Sequence, residues 1–66
     1  MRTGDSYRLM VEMLGPETDV RVPKGAIVTI VAGRDRTVDV AWNGQTVMLF
    51  IQDLVDRGEL VESVVA

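Results

Sequence analysis

Asn43-Gly44 is the single Asn-Gly pair in the chain, and it constrains the fold more than any other two residues. A two-residue type I′ turn needs positive φ at both central positions. Asn tolerates that conformation and Gly adopts it freely. The flanking residues 37–42 and 45–51 read as the two strands of a hairpin. So short a loop sets the register: Trp42 should face Gln45, Val40 should face Val47, and Val38 should face Leu49. On the first strand Val38, Val40 and Trp42 share one face, and Thr37, Asp39 and Ala41 share the other. On the second, Val47, Leu49 and Ile51 join the face of Val38 and Val40. Met48 and Phe50 then point the opposite way, beside Asp39 and Thr37. A strand that is apolar on both faces is normally covered on both, so the cover over Met48 and Phe50 is the main question this chain poses.

Sixty-six residues suffice for one domain spanning residues 1–66. A domain this small buries a modest share of its surface and usually needs a staple. The chain has no Cys and no His, so disulfides, thiolate metal sites and imidazole chemistry are excluded. Association with another chain is the remaining staple, and a hydrophobic content of 47% suits it. The net charge of −3 disfavours nucleic acid as a partner, because neutralising phosphate dominates that affinity. The apolar runs are too short for a membrane span, and the opening residues lack the apolar core of a signal peptide. A cytoplasmic setting without a membrane partner is the expectation.

Along the chain, residues 1–5 read as a frayed lead-in. Residues 6–14 alternate, with Tyr7, Leu9, Val11 and Met13 on one face and Met10 and Leu14 on the other. A strand fits this pattern. A short helix capped by Ser6 also fits, since Leu, Met and Glu are good helix formers. Residues 15–19 are loop by composition. Residues 20–22 are extended, and Pro23-Lys24-Gly25 is a turn with Pro at its second position and Gly available for positive φ. Residues 26–32 are apolar on both faces except at Thr29, which predicts a central strand rather than an edge. Residues 52–57 read as one helical turn ended by Gly58, and residues 59–65 as a last strand. The expected fold is all-β: a small barrel of five to six short strands with one helical turn before the last strand.

Three stretches carry a resemblance to a known family. Residues 20–31 resemble the segment in which a Lys-Gly turn leads into the second strand of an SH3-like barrel. Residues 40–47 are similar to its distal hairpin, and residues 50–55 to its short helical turn. The resemblance is one of pattern and covers most of the chain. It implies an SH3-like small β-barrel. The ligand groove of eukaryotic SH3 domains is not implied, because Trp42 sits beside the distal turn, no tandem Trp occurs, and residues 50–53 contain no Pro. A polyproline groove needs several ring faces, and Tyr7 alone does not make one. Plasmid-borne type II dihydrofolate reductases use a related barrel with a Val-Gln-Ile-Tyr run lining a shared pore. Here that place reads Val47-Met48-Leu49-Phe50, without either polar handle.

No catalytic constellation stands out. Ser6 and Ser63 have no His to activate them, and Lys24 belongs to a turn. Asp53, Asp56, Glu59 and Glu62 read as a solvated acidic face rather than a metal site, so no catalytic, metal or cofactor residue is expected. Arg34 and Arg36 share a loop and are the candidate contacts for an anion or nucleic acid. Met10, Leu14, Met48 and Phe50 are the candidate partner-binding residues, with adaptable Met side chains and an aromatic anchor. The leading expectation is a non-catalytic protein–protein interaction or assembly module that self-associates. The alternatives are a nucleic-acid-binding or regulatory barrel and a pore-type oligomeric reductase.

Overall fold

Inward-facing Val and Leu side chains organise a five-stranded antiparallel sheet and a small two-stranded one in the computed structural model, which describes residues 2–15 and 20–63. The elements in chain order are β1 (Ser6–Leu9), β2 (Met13–Leu14), β3 (Arg21–Val22), β4 (Ile27–Gly33), β5 (Thr37–Trp42), β6 (Gln45–Phe50), α1 (Ile51–Arg57) and β7 (Gly58–Glu62). The large sheet has the order β6-β5-β4-β1-β7, and β2 pairs with β3. The fold is all-β with one short helix before the last strand, as expected. Residues 16–19 of the expected loop, and residues 64–65 of the expected last strand, lie outside the described residues.

The β5–β6 hairpin follows the register expected from its turn. Trp42 is opposite Gln45, Val40 opposite Val47, and Val38 opposite Leu49. Asn43 and Gly44 have φ of 52° and 76°, the two positive values that a type I′ turn demands. Val38, Val40, Val47 and Leu49 are buried, and they pack with Leu9, Val28 and Leu54 in one core. Ile51 belongs to α1 rather than to the strand and rests partly buried on that core.

Several sequence expectations are corrected. The lead-in is not frayed. Asp5 is buried, its Oδ2 accepts a hydrogen bond from the Arg2 backbone N at 2.9 Å, and Gly4 N and Ile30 N tie the segment to β4 through Ile30 O and Asp5 O. Residues 6–14 do not form one strand. The chain leaves β1 after Leu9, and Val11, expected inside with Tyr7 and Met13, is exposed. Met10 N bonds Arg57 O instead of continuing the ladder. In the turn after β3, Ala26 N bonds Pro23 O at 3.2 Å, which puts Pro23 first and Gly25, at φ 87°, third. That is the position where a type II turn requires positive φ.

β4 is central in strand order, as expected. Only one of its faces is covered. Val28 and Ile30 are buried, whereas Ile27 is 50% and Val31 45% exposed. Val31 is the extra residue of an irregularity between Ile30 and Ala32 opposite β5, the kind of insertion that bends a strand. Centrality here means hydrogen bonds on both edges, not side-chain cover on both faces.

The helix is held by one contact and one approach. Leu54 is its sole fully buried residue among those described. Asp53 in the first turn and Arg57 in the last complement the helix dipole. Gly58 follows with φ −115°, so the left-handed end expected for it does not occur. Gly is needed for another reason: a Cβ there would stand 2.5 Å from the Leu54 carbonyl oxygen. Gly58→Ala should therefore cost about 1–3 kcal/mol through overpacking. Gly33→Ala, which meets open space, should change stability by no more than about 0.5 kcal/mol. Urea denaturation of both variants checks the contrast; equal losses would refute the steric reading.

Candidate functional surface

The hairpin register decides which side chains β5 and β6 present outwards. Thr37 is opposite Phe50, Asp39 opposite Met48, and Ala41 opposite Thr46. Thr29 is opposite Ala41 on β4 and Ser6 opposite Thr29 on β1, so Ile27 and Thr29 share this outer face. Ser6 Oγ and Thr29 Oγ1 are hydrogen-bonded across it at 3.1 Å. Phe50 is 40% exposed, and Met48 is half-buried. Ile27 is on the same face but level with the Asn43-Gly44 turn, at the opposite end from Phe50, with Thr29, Ala41 and Asp39 between them.

The other two partner-binding candidates stand on different elements. Met10 is exposed at the end of β1, which β5 and β4 separate from β6 in the sheet. Leu14 is exposed on β2, opposite Arg21 of the small sheet.

The two loop arginines are in different situations. Arg34 reaches forward to Asp39 in a two-point contact, Nε to Oδ1 at 3.3 Å and Nη2 to Oδ2 at 3.1 Å. This fork geometry suits a carboxylate, and it holds the Arg34 guanidinium against the neighbour of Met48 rather than out towards an anion. Arg36 instead lines an open depression of ≈ 470 Å³ with Asp35, Phe50, Ile51 and Gln52. Its carbonyl accepts a hydrogen bond from Ile51 N at 3.0 Å. One Arg beside one Asp gives this depression little net charge.

The acidic C-terminal quarter does not converge. Asp56 accepts a hydrogen bond from Gln52 Nε2 at 2.9 Å on the exposed side of α1. No group of His, Cys, Asp and Glu suited to a metal ion occurs among the described residues. No described helix is long and apolar enough to cross a membrane. Comparison of the chain with protein families, with curated proteins and with solved structures finds no match.

The Arg34–Asp39 pair is exposed at its Arg end, so it contributes little to stability. Arg34→Ala should lower unfolding free energy by less than about 1 kcal/mol, with the difference shrinking at high salt. With Arg34 engaged and the chain acidic, a salt titration against mixed oligonucleotides should detect no binding at low salt. Binding there would restore the loop arginines as a phosphate site.

Proposed function

We propose that the chain is a non-catalytic assembly module, built as an SH3-like barrel, that associates with further copies of itself through β6, whose outer face carries Met48 and Phe50. One observation carries this reading: exposed Phe50 and half-buried Met48 share the outer face of β6. Apolar side chains exposed side by side on a small protein are a candidate contact site. A Phe beside a Met supplies an anchor and an adaptable neighbour.

Two further features support the reading. The chain has no disulfide or thiolate site to stabilise a 66-residue core, and burying this face between copies would add to that core. The element order also supports an SH3-like arrangement: a broken first strand, the long β4–β5–β6 meander, a helical turn, and a last strand returning to β1. Arg34 bound to Asp39 speaks against a nucleic-acid function. Apolar Met48 and Phe50 speak against pore chemistry that requires polar ligands on this strand.

Sedimentation velocity should give the mass of an oligomer for the unmodified chain. Met48→Lys puts a charge on a half-buried outer position without touching the buried Val47 and Leu49. It should keep the circular dichroism of the parent and raise the dissociation constant on the order of tenfold or more, about 1.4 kcal/mol. A parent that sediments as a monomer overturns the proposal.

A further inference from the structure

We infer that β6 of a second copy pairs antiparallel with β6 of the first along its outer edge, with Met48 facing Met48 across a two-fold axis. This rests on the self-association proposed above and specifies its geometry.

The inference starts from the phase of the β5–β6 ladder. In a two-residue hairpin the residues flanking the turn exchange hydrogen bonds, and bonded and non-bonded pairs then alternate. Trp42 and Gln45 are the flanking pair. Val40–Val47 and Val38–Leu49 are therefore bonded, whereas Ala41–Thr46, Asp39–Met48 and Thr37–Phe50 are not. The bond from Ile51 N to Arg36 O falls in the same phase, one step beyond the strand. The N–H and C=O groups of Thr46, Met48 and Phe50 thus point away from β5, along the outer edge of the sheet. Among the described elements, only β5 and α1 lie against β6 over more than isolated contacts.

Outward-facing backbone groups call for another strand. The two edges of this sheet differ in how they meet that demand. β7 carries Glu59 and Glu62, and its register with β1 is broken between Ser6 and Tyr7. Charges and irregular register are the ordinary guards of an edge. β6 reads Gln-Thr-Val-Met-Leu-Phe, has no charge and no Pro, and pairs without a break over six residues. It is the unguarded edge.

A second copy fits β6 because the strand is complementary to itself. Pairing Met48 with Met48 also pairs Thr46 with Phe50 and Phe50 with Thr46. Every outward group in the strand then meets one that can bond it, and no like charges meet. On the outer face, Phe50 of each copy lies beside Thr46 of the other. The hairpin turn of the second copy extends towards the depression beside Ile51 and Gln52. A two-fold contact uses both β6 edges at once and leaves the guarded β7 strands as the edges of the large sheet, so the assembly closes as a dimer. Joining β6 to β7 would instead propagate, and the glutamates and the bulge of β7 oppose it.

The chain has no Cys, so single-cysteine variants report the register directly. Facing bonded residues have Cα atoms about 5.5 Å apart, within the ~4.4–6.8 Å that a disulfide spans. Met48→Cys should oxidise to a covalent dimer, doubling the mass under denaturing conditions. Thr46→Cys should stay a single chain, because its two copies would lie about 14 Å apart along the paired strands. Mixing Thr46→Cys with Phe50→Cys should give the mixed dimer. If the parent is dimeric by sedimentation but Met48→Cys does not link, or Thr46→Cys links to itself, the edge pairing is overturned while self-association stands. A monomeric parent overturns both. Circular dichroism of each variant before oxidation identifies unfolded chains. If Met48→Cys is one of them, the mixed Thr46→Cys and Phe50→Cys reaction decides the register by itself.

Discussion

The positive-φ turn at Asn43 and Gly44 sets the phase of the β5–β6 ladder, and most of what distinguishes this molecule depends on that phase. With Trp42 opposite Gln45, Val38, Val40, Val47 and Leu49 turn inwards together and are buried. A slip of β6 by one residue would turn Met48 and Phe50 into the core and Val47 and Leu49 out of it. The same phase selects which backbone groups of β6 look outwards. A two-residue choice of conformation therefore decides both the core and the chemistry of the edge.

The rest of the structure closes around that hairpin through a few specific contacts. Asp5 anchors the turn before β1, where Gly4 and Asp5 bond Ile30 of the central strand. Leu54 inserts from α1 into the core. Gly58 allows the chain to pass the Leu54 carbonyl at a distance no side chain would permit, so β7 can return to β1 directly after the helix. These contacts join segments distant in sequence, which is how a chain this short with no cross-link gathers its core.

Surface electrostatics are arranged unevenly. Arg34 is folded onto Asp39 beside Met48, so the one acidic residue on the outer face of β5 has a cation in contact. Glu59 and Glu62 lie on the opposite edge strand. The β6 strand thus carries no charge of its own, whereas β7 carries two glutamates, one of them opposite Arg8 on β1.

How much of this was legible beforehand differs by residue. The sequence by itself determined the hairpin, its register, the opposite orientations of Val47 and Met48, the turn at Gly25, and a helix ahead of the last strand. Each follows from local stereochemistry or a period of two. The break after Leu9, the exposure of Val11, the anchoring of Asp5 and the reason for Gly58 were not legible, because each depends on an atom brought close from a distant part of the chain. Ile27 and Val31 show the limit most plainly. That the run at residues 26–32 is apolar was visible in the sequence, but whether a face is covered depends on which elements fold over it. Only the tertiary structure decided that Val28 and Ile30 pack into the core while Ile27 and Val31 stay exposed.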